Sequence, residues 1–373
     1  MAIIRLTMST LKRTPLYGLQ AEAGARFVEF AGWELPVQFA GVKAEHHAVR
    51  QQVGMFDVSH MGEVRIRGPQ AAAAVQRMIT QDAERLHAGR ALYTVMCQPD
   101  GGIVDDFIVY RESHESYFIC VNAARRDRDV EHMQKAAADF DCSVEDISEH
   151  WAQIAVQGPR AITLVEALTD IDVAGLRPFR FSDGVVADVA DVRVARTGYT
   201  GEDGVELYVA SGRAPELWRA LQNQGEAHGL VPCGLAARDT LRLEAGLLLY
   251  GNDIDEAHNP IEAGIGWVVK LDAGEFIGRE ALRRVKEVGP ERKLVGLKMR
   301  ARGIPRAGYR VVRSGEEIGV VTSGTHSPTL GEPIGLAYVP ADCAAVGTSI
   351  DILIRGKAVA AEVVPTPFYK REA

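Results

Sequence analysis

At 373 residues, with 47% hydrophobic and 25% charged side chains, the chain has the balance of a globular protein in water and the length of two or three domains. Its formal net charge of −8 lacks the basic footprint that a phosphate backbone demands, which argues against nucleic acid as a partner. Five cysteines without a Cys-x-x-Cys pair argue against a disulfide framework or zinc cluster, and no apolar run approaches the ~18–20 residues of a membrane span, so a reducing, cytoplasmic setting away from membranes is expected.

Residues 1–13 carry Arg5, Lys12 and Arg13 and no acid, and lack the apolar segment of a secretory signal; true initiation is expected at Met8. Residues 27–39, with Gly32 and Pro36, read as loop or strand. Residues 42–52 read as a helix ended at Gly54, and the alanine-rich residues 69–79 as another. A hairpin is predicted next, from strand 91–97 through the tight turn Pro99-Asp-Gly-Gly102 to strand 103–110. Strand 117–122 and a charged amphipathic helix over 123–140 follow. Residues 151–156 form a strand, Gly158-Pro159 opens a helix, 185–196 is extended, 205–209 pairs back after a glycine turn, and 215–225 is a helix. From about Glu291 short Val- and Gly-rich strands at 294–299, 309–312, 318–322, 334–338, 350–354 and 358–363 predict a separate all-β barrel, approached through the charged stretch 279–292. No repeat at solenoid periods is evident.

Three places offer chemistry. Asp105 and Asp106 lie within an apolar strand, and alternation sends their side chains to opposite faces. A buried carboxylate needs a donor or a cation, so one of them either satisfies a turn or binds a nitrogenous ligand. The segment Thr197-Gly-Tyr-Thr-Gly-Glu-Asp-Gly-Val-Glu206 is a glycine turn that delivers Glu206 onto a strand, on one face with Tyr208. That face is either simply wet or offers a carboxylate to adjacent N–H donors, such as the edge of a pterin. The segment Gly234-Leu-Ala-Ala-Arg-Asp-Thr-Leu-Arg-Leu-Glu244 reads as a helix start with Arg238 and Arg242 on one face. Asp239 can relieve Arg242, which leaves Arg238 near the positive helix end and in want of an anion. Trp33, Tyr93, Tyr199 and Trp267 could stack on a flat ring or simply pack. His46, His47 and His60 show no metal-ligand spacing, and Walker, dinucleotide and nucleophile-elbow motifs are lacking, so positioning with acid–base help from a carboxylate is the expected chemistry.

These segments, together with Thr14-Pro-Leu-Tyr17, Phe30-Ala-Gly-Trp33, Gly54-Met-Phe-Asp-Val-Ser-His-Met61, Gly101-Gly-Ile-Val-Asp-Asp106, Val156-Gln-Gly-Pro159, Leu249-Tyr-Gly-Asn-Asp253, Thr322-Ser-Gly-Thr-His-Ser-Pro-Thr-Leu330 and Pro367-Phe-Tyr369, resemble in the same order the aminomethyltransferase (T-protein) family of the glycine cleavage system. The resemblance implies an α+β fold of three domains around a central folate channel, with the C-terminal all-β barrel closing one side. The expected domains are 1–55 with about 140–240, 56–139 with about 241–285, and 286–373. It implies transfer of the methylene carbon of an aminomethyl group, carried on the lipoyl arm of the H protein, to tetrahydrofolate as co-substrate, with no metal and as a monomer. By motif, Asp106 resembles the family's key aspartate and Asn122 a strand-end residue near the pterin. Tyr199 resembles the aromatic wall of the channel, Glu206 the pterin anchor, and Arg238 the arginine directed at the folate; Trp267 is a further expected cofactor-binding residue, as an aromatic that could stack. Leu247 stands where some relatives have an aromatic, and the basic pair Lys370-Arg371 resembles a tail segment near the cofactor. The cluster Arg300, Arg302, Arg306 and Arg310 is either a dock for an acidic carrier or a solvated barrel face.

Two other readings stand beside this one. A folate-dependent demethylase of the same fold would differ in its one-carbon donor. A non-enzymatic folate-binding maturation factor would carry Lys-Gly-Cys-Tyr-x-Gly-Gln-Glu where this chain has Arg196-Thr-Gly-Tyr-Thr-Gly-Glu, and the missing cysteine counts against it.

Overall fold

Alternating apolar residues in the first two thirds of the chain build two mainly antiparallel sheets, each with one face covered by helices. The computed structural model describes residues 11–371, so the expected start at Met8 lies outside the described residues. One sheet has six strands in the order Phe181–Val186, Val189–Ala195, Gly204–Ala210, Trp151–Gln157, Val53–Asp57 and Leu230–Pro232. All its neighbours run antiparallel except Leu230–Pro232, which lies parallel to Val53–Asp57. Ile154, Val194, Val205 and Leu207 pack with Leu164 of helix Ala161–Glu166 and with Leu217, Trp218 and Leu221 of helix Ala214–Gly225. The second sheet is antiparallel throughout, in the order Arg90–Cys97, Ile103–Ser113, Ser116–Val121, Gly62–Arg67, Ser143–Asp146. Its Val64, Ile66, Val109 and Ile119 meet Val75 and Met78 of helix Ala71–Met78 and Met133 of helix Arg126–Ala137.

The two sheets are wired alike. In each, a strand ends at Gly-Pro, a helix follows, three antiparallel strands run back to the first, and a second helix leads to an edge strand. Gly68 and Gly158 hold φ at 143° and 131°, and a Cβ on them would lie 2.5 Å from the Asp141 carbonyl oxygen and 2.4 Å from that of Gln52. Only glycine fits such a corner. The faces not covered by helices turn toward each other. Tyr110, Phe118 and Cys120 of one sheet meet Phe181, Ala195 and Tyr208 of the other, with Phe118 and Tyr208 edge to face at 5.1 Å.

From Arg292 the chain forms a closed antiparallel barrel, Arg292–Met299, Pro333–Pro340, Glu316–His326, Arg310–Arg313, Ser349–Ile354 and Lys357–Val364, filled by Leu297, Val311, Val321, Val339, Ile352 and Val363. The largely irregular stretch between helix Leu235–Glu244 and helix Arg279–Val288 joins it to the rest. Ile254, Ile265, Val268 and Phe276 pack against Val95 and Ile103 of the second sheet and against Ile334 and Leu336 of the barrel.

Residues 27–39, read as loop or strand, form a hairpin of strands Arg26–Phe30 and Trp33–Gln38. Two other local expectations differ from the fold. Gly54 does not end helix Val42–Gln51; it lies within the next strand, where a Cβ would come 2.2 Å from Val49 Cγ2. The extended stretch 185–196 is broken by a turn at Ala187 and Asp188, with φ of 50° and 62°, between two strands. No glycine or proline marks that turn, and the valines on both sides hide it.

Candidate active site

Between the facing sheets, the start of helix Leu235–Glu244 and the segment after it lies a cavity of about 430 Å³, within the ~300–1,000 Å³ of small-molecule sites. Its walls are mostly apolar, with Tyr93, Tyr199, Leu247, Leu248 and Trp267 among them. All six site residues expected from the sequence, Asp106, Asn122, Tyr199, Glu206, Arg238 and Trp267, line it, although they come from both sheets, a turn, a helix and an irregular segment.

Asp106 sits on strand Ile103–Ser113 with its carboxylate held from two sides. Tyr93 donates its hydroxyl to Oδ2 at 2.9 Å, and Asn122 donates Nδ2 to Oδ1 at 3.0 Å. Burial first, and the neighbouring Asp105 second, push Asp106 up to about 7. Asp105 is buried on the opposite, helix-covered side, as alternation predicts. Asn122, at the end of strand Ser116–Val121, reaches both. Its Nδ2 also donates to Asp105 Oδ1 at 2.9 Å, and its backbone N–H donates to Asp105 Oδ2 at 3.1 Å.

Glu206 faces the cavity from strand Gly204–Ala210. Gln153 Nε2 donates to its Oε1 at 2.9 Å and the Thr197 hydroxyl to its Oε2 at 2.5 Å, while burial raises its carboxyl. A carboxylate has about four acceptor positions, so two are left for a ligand. The Arg238 guanidinium lies 4.4 Å over the Tyr199 ring and, among the described residues, makes no hydrogen bond or ion pair. Its pKa is lowered, chiefly by burial. Beside it, buried His60 is held at about 3, by burial first and by Arg238 second, and is therefore neutral. Arg242 takes the structural share of the pair: it holds Asp239 at 2.9 Å, Asp253 at 2.6 Å and Ser323 at 2.9 Å. The Tyr199 hydroxyl donates to the Leu248 carbonyl, fixing its ring along the wall. Trp267 lies 5.8 Å from Tyr93 and is 57% exposed, which places it at the mouth.

Other sequence candidates fall elsewhere. Trp33 lies on the first hairpin and does not line the cavity. Leu247 does line it, without an aromatic ring. Lys370 and Arg371 do not, although Pro367 packs beside Gly246 and Arg371 approaches Asp203 at 3.6 Å. Within the barrel cluster, Arg300 pairs with Glu362 at 2.9 Å, Arg310 with Glu317 at 3.7 Å, and Arg306 donates to the Gly324 carbonyl. Among the described residues no group of three His, Cys, Asp or Glu side chains is placed to hold a metal. Sequence reasoning missed Met61, Gln153 and Phe179, all of which line the cavity. Gln153 carried a signal, a polar residue inside the apolar run Trp151–Gln157; Phe179, with φ of 58°, carried none.

The chain matches the family models of the GCVT N-terminal domain over residues 16–273 and of the glycine cleavage T-protein C-terminal barrel domain over residues 292–370. It is 52% identical to the aminomethyltransferase of Shouchella clausii, over 97% of this chain and 98% of that protein. It is 48% identical to that of Bacillus subtilis, over 97% of this chain and 100% of that protein. The crystal structure of glycine cleavage system aminomethyltransferase T from Bartonella henselae superposes with a TM-score of 0.90 at 35% identity, covering 96% of this chain and 98% of that one. With both family models matched and relatives aligned nearly end to end, the chain belongs to the glycine cleavage T-protein family of aminomethyltransferases.

Proposed function

We propose that this aminomethyltransferase moves the methylene carbon of an aminomethyl group, carried on the lipoyl arm of the H protein, to tetrahydrofolate. The products are 5,10-methylenetetrahydrofolate, ammonia and the dihydrolipoyl H protein. The observation that carries the reading is Asp106, a half-buried carboxylate held by Tyr93 and Asn122 on the cavity wall and raised to about 7. Such a group is poised for proton transfer near neutral pH.

The cavity fits a reduced pterin. Arg238 offers donors that nothing else uses among the described residues, and Glu206 keeps two free acceptor positions for a 2-amino and N–H edge. When bound, tetrahydrofolate supplies the nitrogens that take up the one-carbon unit. Asp106 holds or accepts a proton at its carboxylate and sets a negative charge beside developing positive charge in a mostly apolar site. Tyr93 and Asn122 fix its rotamer, and Tyr199 and Trp267 line the cavity, so positioning accounts for part of the rate. The same reading makes the enzyme a cytoplasmic monomer without a metal, whose partner is the lipoylated H protein. It divides the chain into domains 1–55 with about 140–240, 56–139 with about 241–285, and 286–373, although strand Ser143–Asp146 pairs in the second sheet and strand Val53–Asp57 crosses position 55.

The test is an assay with aminomethyl-loaded lipoyl H protein, with and without tetrahydrofolate, following ammonia and 5,10-methylenetetrahydrofolate. Folate-dependent release of both supports the reading. Tight folate binding without turnover rejects it in favour of another one-carbon donor or of a binding protein.

A further inference from the structure

Behind Asp106, on the helix-covered side of its strand, lies a carboxyl pair that the proposed reaction does not use. Asp129, in helix Arg126–Ala137, is fully buried, and neither carboxyl oxygen meets a donor among the described residues. Its side chain is in hydrogen-bonding contact with that of Asp105, which is equally buried. Two carboxylates in contact with no cation between them cannot both be ionised, so one proton must lie between them. Asp105 already accepts two N–H donors from Asn122, at 2.9 and 3.1 Å, and these favour its charged form. Asp129 has none, so the proton belongs on Asp129.

The surroundings agree. From the same strand Asp106 adds a second nearby acid. On Asp129's own helix side stand Arg125, Arg128 and His132. Arg125 is committed to Glu256 at 2.5 Å and to the Val104 carbonyl at 3.2 Å, with its guanidinium 5.0 Å from the Tyr250 ring. Arg128 also turns to Glu256, at 3.6 Å. Across from them Tyr250 donates its hydroxyl to the Ile103 carbonyl. Burial and Asp105 together push Asp129 up to about 11, with Arg125 acting weakly the other way.

We propose that Asp129 is a positioning residue, a neutral carboxylic acid whose O–H bonds to Asp105 and keeps Asp105 ionised. Asp105 in turn grips the Asn122 amide, whose Nδ2 is shared with Asp106. The proton held on Asp129 thereby fixes both the rotamer of Asp106 and the negative charge standing beside it. This rests on reading Asp106 as the acid–base group, so the test includes a measurement that does not depend on turnover.

That measurement is infrared difference spectroscopy of protein carrying 13C-labelled aspartate. The carbonyl band of a protonated aspartic acid should persist at about pH 9, where Asp106, at about 7, is ionised as an unperturbed aspartate is, and should vanish at that pH in Asp129→Asn. The side-chain amide introduced by Asp129→Asn can still donate to Asp105, so this variant should keep turnover within about threefold and leave the pH profile in place. Asp129→Ala removes the donor. Asp105 then takes the proton, Asp106 loses its charged neighbour, and the acid limb of turnover should move down by about one pH unit with about a tenfold loss of rate. A wild-type protein without the band, or a band unchanged in Asp129→Asn, overturns the proposal. So does an equal loss in both variants with an unmoved pH profile, the mark of packing alone. If Asp129→Ala fails to fold, the band and Asp129→Asn decide; if wild type turns over no donor, the function proposed above fails and the band still decides on Asp129.

Discussion

Asp106 is placed where ionisation and folding pull against each other. Its folded-state value is about 7 against an ordinary 3.8, so between those values the native state binds the proton that the unfolded chain releases. Stability from this group is complete at low pH and is lost as the pH rises from about 3.8 through about 7. Asp106→Asn removes that penalty. It should raise the melting temperature more at pH 8 than at pH 5 in calorimetry, while cutting turnover by about 10²-fold or more and changing folate affinity by less than about threefold. An equal loss of affinity and turnover would make Asp106 a binding residue only. Glu206 has the opposite task. Glu206→Ala should weaken folate binding by about 10- to 100-fold, the scale of charge-assisted hydrogen bonds, and unchanged affinity in titration calorimetry would remove it as an anchor. Both residues were legible because a carboxylate inside an apolar strand is conspicuous. The unpaired state of Arg238 was only half legible. Helix spacing pairs Arg242 with Asp239, but that no acceptor bonds the Arg238 guanidinium among the described residues depends on groups far away in sequence.

At the scale of elements, most strands and helices follow from alternation and from glycine punctuation. The predicted turn 99–102 is observed as a bonded corner, with Gly101 N–H donating to the Gln98 carbonyl. The Gly-Pro dipeptides at 68–69 and 158–159 recur because each sheet needs the same sharp exit from a strand into a helix. Gly158→Ala should therefore destabilise the protein by about 2 kcal/mol or more, since it combines an unfavourable φ with a Cβ 2.4 Å from a backbone carbonyl. Denaturant unfolding would show this as a lower midpoint with an unchanged slope. A neutral result would mean that the corner relaxes. The stretch 185–196 escaped correct reading because its turn is made by Ala187 and Asp188 with no glycine or proline, and one aspartate between valines is a weak turn signal.

For the whole molecule, the barrel is locked on by buried polar groups as well as by apolar contact. Arg242 bonds Asp253 and Ser323, and the Thr322 hydroxyl donates to Asp253 at 2.6 Å. Removing the cation strands a buried carboxylate, so Arg242→Met should cost about 3 kcal/mol or more. Hydrogen exchange should then rise first along Glu316–His326, where the barrel meets the helix; uniform exchange would contradict a local lock. Glu244 makes a second contact. Burial alone would raise it, but hydrogen bonds from His46, Ser327 and Thr329 prevail and hold it at about 2. A carboxyl depressed in the folded state gives stability that is present above its unfolded value near 4.5 and is lost as the pH falls through about 2. The barrel contact should thus loosen on acidification within that window, and Glu244→Gln should abolish the pH dependence of barrel protection.

The sequence alone determined the periodicities, the closely spaced strands of the barrel and the motifs that name the family, because these depend on neighbours along the chain. It also placed Asp106 and Glu206 on strands with one face free. Only the tertiary structure decided which faces meet. Tyr93, Asp106 and Asn122 on one sheet, Gln153 and Glu206 on the other, and Arg238 on a helix share one cavity because two sheets covered by helices on one side must bury their remaining faces against each other. The Asp105–Asp129 contact has the same origin: a helix laid across a strand brings together two acids that local sequence holds apart.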